Sequence, residues 1–205
     1  MKVQEALAEL RKLEKRKFSQ SIDLIVNLKG LDLRKDNINA IIKIPHVFKA
    51  KKVCAFFTKK SELVDTITPP EFAKFKEKDE LKHLVKNYDF FIAVAPLMPS
   101  VATAFGKVFG PAGKMPSPQL GIVAVENDAK INEELDKISK SVKIKLKEAS
   151  IKISIGKENM KDQEITDNLQ AIYSGIVAAL PVKKDNIRSV LLKLTMSKPI
   201  KLEVE

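Results

Sequence analysis

SVKIKLKEASIKISIGK, residues 141–157, sets Val142, Ile144 and Leu146, then Ile151, Ile153 and Ile155, at every second position. Side chains alternate across a strand, so this period of two predicts strands that bury one face each. The same period occurs far upstream, in FSQSIDLIVNL at 18–28, where Ile22, Leu24, Val26 and Leu28 alternate with other residues. That is the pattern of a half-buried strand. INAIIKIP (38–45) and KVCAFFT (52–58) predict two more strands, and Pro45 closes the first of them because proline donates nothing to a sheet ladder. Residues 29–36, KGLDLRKD, read as a polar, turn-rich link.

The stretch between has another rhythm. TPPEFAKF (68–75) opens a helix that runs to about Asn87, with prolines where a helix start tolerates them. DFFIAVAP (89–96) is a continuous apolar run, as in a strand covered on both faces. A helical stretch with Val101, Ala104, Phe105 and Val108 leads into a Gly/Pro loop. GIVAV (121–125) predicts another short buried strand, and NEELDKISKSV (132–142) another helix. Short apolar strands alternating with helices imply βαβ units on a parallel sheet.

Working outward to the ends, residues 2–16 place Val3, Ala6, Leu7, Leu10 and Leu13 on one helical stripe, with Lys2, Glu5, Glu9, Arg11, Lys12 and Lys15 opposite. Residues 162–180 form a long amphipathic helix with Ile165, Leu169, Ile172, Ile176, Val177 and Leu180 on one face. RSVLLKLTMSKPIKLEV (188–204) reads as a strand, a tight turn with Pro199, and a short edge strand. The expected fold is α/β in two domains. Residues 1–60 with 150–205 form a discontinuous α+β terminal domain, an antiparallel sheet with two helices, and 61–149 form an inserted Rossmann-like α/β domain. Chain termini often lie close together, which makes such insertions tolerable.

Charge divides the chain the same way. Residues 1–60 carry 15 Lys+Arg against 6 Asp+Glu, residues 61–149 carry 13 against 13, and residues 150–205 carry 9 against 7. The net +11 therefore sits on the two ends, an electrostatic footprint that fits a polyanion partner. The alternative is a solvated, lysine-rich surface of thermophile style. The N-terminal MKVQEALAEL has no apolar core of a signal peptide, and FFIAVAP (90–96) and GIVAAL (175–180) are too short to span a bilayer. With no basic helix bearing large apolar anchors, RNA or DNA is favoured over a lipid surface. Cys54, the one cysteine, lies in an apolar run and reads as a buried thiol; His46 and His83 offer little for a metal. His46, after a proline at a strand end, reads as a turn residue, and Glu133-Glu134 as solvated carboxylates. The expectation is an intracellular protein without metal, cofactor or catalytic residues.

VFGPAGKMPSP (108–118) tests for a nucleotide site. A phosphate-binding loop needs four residues between Gly and Gly-Lys, then Ser or Thr for magnesium. Here only Pro111-Ala112 separate Gly110 from Gly113, and Met115 follows Lys114. Prolines also remove the N–H groups that would hold phosphate. A rigid loop is the better reading, though an enzyme using the α/β middle, or a merely basic interaction scaffold, stays open on these residues.

GPAGKMPSP nevertheless resembles the signature loop of the large-subunit ribosomal protein L-one family, the universal stalk protein. KFSQSIDLIVNL (17–28), IKIPH (42–46), IGK (155–157) with DNL (167–169), and RSVLLKLTMSKP (188–199) resemble that family's other motifs in order and spacing. The short length and lysine-rich style resemble archaeal members. Two places depart: Ser197 stands where the family has glycine, and Ser19-Gln20 replace an acidic pair. The resemblance implies that two strand segments grip rRNA side by side. Lys17, Phe18, Ser21 and Asp23 match one segment; Ser189, Thr195 and Met196 match the other, Ser197 by place only; Lys157 matches the Gly-Lys pair. Hydroxyls and a carboxylate suit 2′-hydroxyls, lysines suit phosphates, and Phe18 with Met196 would floor a ribose or base. Taken alone, Phe18 and Met196 read as core side chains, and Ser21, Ser189 and Thr195 as ordinary strand positions. The resemblance also implies the partners: the large-subunit rRNA stalk, exit-site tRNA and the protein's own mRNA leader, with the protein a monomer within the ribosome and no membrane partner.

Overall fold

In the computed structural model, which describes residues 1–13, 16–31, 38–73, 75, 78–124, 126–146 and 148–203, the chain opens with α1 (Val3–Arg11), β1 (Ser21–Leu28) and β2 (Asn39–Lys43). Next come β3 (Val53–Phe56), β4 (Asp65–Ile67), α2 (Lys78–Asn87), β5 (Phe90–Val94), α3 (Met98–Ala112), β6 (Ile122–Val123) and α4 (Asp128–Ser139). The chain closes with β7 (Ser141–Lys145), β8 (Ser150–Lys157), α5 (Asp162–Ala179), β9 (Ile187–Leu194) and β10 (Ile200–Leu202). Two units result, one from 1–49 with 140–205 and one from 50–139.

The first unit is built on a four-stranded antiparallel sheet of order β10-β9-β1-β8. Along β1 the even-numbered Ile22, Leu24, Val26 and Leu28 are buried and the odd-numbered residues are half-exposed. This is the period-two pattern doing what it predicts: one face packs and the other stays open. The packed face meets α5, whose Ile165, Leu169, Ile172 and Ile176 are buried, and α1, through Ala6, Leu7 and Leu10. At roughly 25 cal/mol per Å² of apolar area removed from water, these aliphatic faces supply the main drive for this unit. β2 and β7 pair antiparallel as a separate ladder, and β2 packs on α5. Gly175 permits that approach: a Cβ there would fall 2.5 Å from Ile42 Cδ1. Both α1 and α5 start on a lysine with glutamate three residues on. Glu5 accepts the Lys2 N–H at 3.1 Å and Glu164 the Lys161 N–H at 3.2 Å, satisfying donors a helix start leaves open.

The second unit is a parallel sheet of order β4-β3-β5-β6. Its core is aromatic. Phe56, Phe91, Phe105 and Phe109 are fully buried, with ring centroids 4.4 Å apart for Phe91–Phe109 and 4.9 Å for Phe56–Phe105. Consecutive residues of β3 and β5 are buried, as both-faced coverage requires.

Several expectations are corrected. The run 52–58 belongs to the second unit, because β3 pairs parallel with β4 and β5. β7 belongs to the first, because it pairs with β2; the division therefore falls at 49/50 and 139/140 rather than near 60 and 150. The helix expected over 68–87 is a 3-10 turn, Pro69–Ala73, and then α2. α4 begins at Asp128 and stops at Ser139, so Ser141 and Val142 are strand. α3 runs through Gly110-Pro111 to Ala112, so half of the expected loop is helix. Leu13 lies beyond α1 and is exposed. Residues 32–36 of the link, Lys15, Val125 and Val204 lie outside the described residues.

Candidate nucleic-acid interface

The antiparallel registers bring three chain segments to one end of the sheet. Ser21 stands opposite Lys157 of β8, and Ile22 opposite Leu194 of β9, which sets Thr195 beside Ser21. Thr195 and Ser21 are stitched together. The Thr195 N–H donates to Ser21 O at 3.1 Å, and the Ser21 N–H donates to Thr195 Oγ1 at 3.1 Å. Gln20, only 3% exposed, ties the third segment in. Its Oε1 accepts the Met196 N–H at 3.2 Å, its carbonyl accepts the Glu158 N–H at 2.9 Å, and its own N–H donates to Glu158 Oε2 at 3.3 Å. Buried polar groups with their partners in place rigidify a site. Sequence reasoning passed over Gln20 and Glu158, whose part depends on segments 138 and 176 residues away.

On this frame Phe18 is 53% exposed and Met196 64% exposed, so neither is a core side chain. Lys17, Lys157 and Thr195 are exposed, and Ser21, Asp23, Ser189 and Ser197 half-exposed. Directly opposed residues of antiparallel strands point to the same face. Ser21 with Lys157, Asp23 with Lys193, and Asn27 with Ser189 therefore share the open face. Among the described residues Lys17, Asp23 and Lys157 form no ion pair. The structure thus gathers Ser21, Lys157, Thr195, Met196 and Ser197, with Asp23 next along the strand. Ser189 is not in that cluster. It lies at the far end of β9 and accepts a hydrogen bond from Asn27 Nδ2 at 3.0 Å. Lys193 and Asn27 were missed: the resemblance named Ser21 and Asp23, and the strand register adds Asn27 and Lys193 to the same face.

Ser197 has its own answer. Among the described residues the one non-glycine with positive φ is Lys183, so position 197 needs no glycine conformation. Its hydroxyl accepts the Leu194 N–H at 2.9 Å and closes the β9–β10 turn.

The Gly-Pro loop of the other unit is likewise committed to structure. Gly113, at φ 72°, ends α3 in the left-handed conformation that glycine tolerates. Lys114 Nζ then donates to Val85 O and Tyr88 O, both at 2.6 Å. A cation on Val85 O in the last turn of α2 and on Tyr88 O just past its end satisfies acceptors that a helix end leaves open. Lys114 is engaged with main-chain carbonyls where a phosphate-binding lysine would reach its ligand.

The remaining chemical candidates are quiet. Cys54 is buried and its thiol is pushed up to about 12, first by desolvation and then by Asp65, which leaves it neutral. His46 Nε2 lies 3.2 Å from Asp167 Oδ2. Beneath that pair the fully buried Asn168 accepts the His46 N–H at 3.0 Å and donates to His46 O and Ile155 O, both at 2.9 Å. Glu134 is not solvated as expected: its side chain is 16% exposed and pairs with Lys137 at 2.6 Å. Among the described residues no His/Cys/Asp/Glu group could hold a metal, and no helix is long and apolar enough to cross a membrane.

Residues 10–198 match the model of the Ribosomal protein L1p/L10e family. Curated relatives cover both chains almost end to end. The chain is 32% identical to large ribosomal subunit protein uL1 of Pyrobaculum calidifontis, over 98% of this chain and 91% of that protein. It is 34% identical to the Pyrobaculum islandicum protein of the same name, over 97% and 90%. With that of Pyrococcus horikoshii it shares 31% identity, over 98% and 95%.

Proposed function

Because the chain belongs to the Ribosomal protein L1p/L10e family, we propose that it is a structural, non-catalytic protein of the large ribosomal subunit, in the cytoplasm, that binds rRNA through the joined ends of β1, β8 and β9. The observation that carries this is the Ser21–Thr195 stitch, with Met196 next in the chain to Thr195 and Phe18 three residues before Ser21, both exposed. Large apolar side chains held out on a fixed frame, with Lys17 and Lys157 near, have the chemistry to pack on ribose or base and neutralise phosphate. Ser21, Asp23 and Thr195 offer acceptors and donors to 2′-hydroxyls, with Ser189 and Ser197 at the margins.

In finer detail, the rRNA target is the mobile stalk near the tRNA exit site, where the protein acts as a monomer, assists release of deacylated tRNA, and represses translation of its own mRNA through a leader that mimics the rRNA site. The unit 50–139, nearly neutral, makes the weaker and more transient tRNA contact. The test is affinity of the full chain for a stalk rRNA fragment against a scrambled fragment of equal length, across a salt series. Preference for the stalk at high salt is the expected result, since counterion release alone fades with salt. Equal binding that vanishes with salt would withdraw the assignment.

A further inference from the structure

Leu13 and Met196, both exposed apolar side chains, line one groove of about 480 Å³. Leu194 and Ile200 add apolar surface to it, Arg16 and Lys198 add two cations, and Glu9 adds one carboxylate. Two polar side chains of its lining are tied to the backbone: Gln20 Oε1 holds the Met196 N–H and Ser197 Oγ holds the Leu194 N–H. The wall formed by the β9–β10 turn is therefore fixed in place. An apolar floor with a few cations at hand is the make-up of a preformed small-ligand site.

The groove is continuous with the strand-end interface, because Met196 and Ser197 belong to both. Among the described lining residues two cations stand against one carboxylate, which favours an anionic occupant. RNA bound by proteins often splays single unpaired bases out of the stack. We propose that this groove takes one unpaired nucleoside of the RNA held at the strand ends, its base on Leu13, Met196, Leu194 and Ile200 and its phosphates toward Arg16 and Lys198. The proposal rests on the rRNA-binding reading above and adds a subsite to it.

The experiment uses the full chain and the stalk rRNA fragment with each unpaired nucleotide made abasic in turn. One abasic position is expected to weaken wild-type binding about tenfold, in the range of base-stacking losses. Leu13→Glu is expected to lose about the same factor, and to show no further loss at that abasic position, since the two changes remove one contact. Leu13→Ala repeats the test with a smaller loss should Leu13→Glu fail to fold. If the wild type prefers the stalk over the scrambled RNA but both Leu13 variants bind like wild type, the subsite is wrong and the rRNA reading stands. Abasic losses that are equal in wild type and variant would overturn the subsite in the same way. A wild type indifferent to the stalk overturns both.

Discussion

The two units solve the same packing problem in opposite ways. In the terminal unit burial alternates along β1 and β9, the core is aliphatic, and one sheet face remains open. In the inserted unit consecutive residues of β3 and β5 are buried against a phenylalanine cluster. Charge follows the split: 24 Lys+Arg against 14 Asp+Glu in residues 1–49 with 140–205, and 13 against 12 in residues 50–139. A sheet that spends one face on its core has the other free for a partner, and the excess cations lie in the unit that has that free face. The inserted unit spends both faces, and even its most motif-like lysine, Lys114, on itself.

The contrast breaks most severely at Asn168. Asn168→Leu leaves His46 N–H, His46 O and Ile155 O without their buried partner. At about 1–3 kcal/mol for each unsatisfied group, a loss of at least ~3 kcal/mol is expected in urea denaturation, with RNA binding falling as the terminal unit opens. In the other unit, Gly121 lies at φ 98° and an added Cβ would fall 2.6 Å from Phe91 O. Gly121→Ala should cost ~2–3 kcal/mol while leaving RNA affinity at low temperature unchanged; a matching loss of affinity would show the units are not separable in function.

Phe18→Ala and Met196→Ala sharpen the comparison from the other side. Both side chains are exposed, so melting temperatures should hold while stalk affinity falls about tenfold each, ~1.4 kcal/mol; titration and thermal melts together check this. The smallest effect concerns acid. Glu71 is lowered to about 2, chiefly by the Thr68 N–H and then by Lys60. A depressed carboxylate stabilises fully above its ordinary pKa of 4.5 and loses that contribution as pH falls toward 2. Glu71→Gln should flatten that part of the acid profile of the inserted unit and leave stability at pH 3 less altered than at pH 7.

The sequence made the strongly periodic elements legible. The alternation in 18–28 and 151–155 and the apolar stripe of 162–180 reappear as β1, β8 and α5, because burial on one face imposes those periods locally. What escaped depends on partners distant in the chain. KVCAFFT reads as a strand, but only its parallel pairing with β5 assigns it to a unit. β4 is three residues long and has no period to show. The apolar stripe of the first helix continues to Leu13, past the point where α1 ends. Among the site residues, the motif resemblance located the strand ends. It could not show that Gln20 would knit them together, or that Ser197 would close a turn where glycine was expected.

The Ser21–Thr195 stitch joins residues 174 positions apart, and it puts the interface on a clock. β1 leaves the translating ribosome early, yet both of its neighbours, β8 and β9, arrive from the last third of the chain. At about 5–20 residues per second, the first strand waits roughly 6–33 seconds for its partners. The contiguous stretch 50–139 is complete a few seconds earlier. A nascent chain therefore lacks the joined strand ends, the proposed RNA-binding surface, until β8 and β9 have emerged.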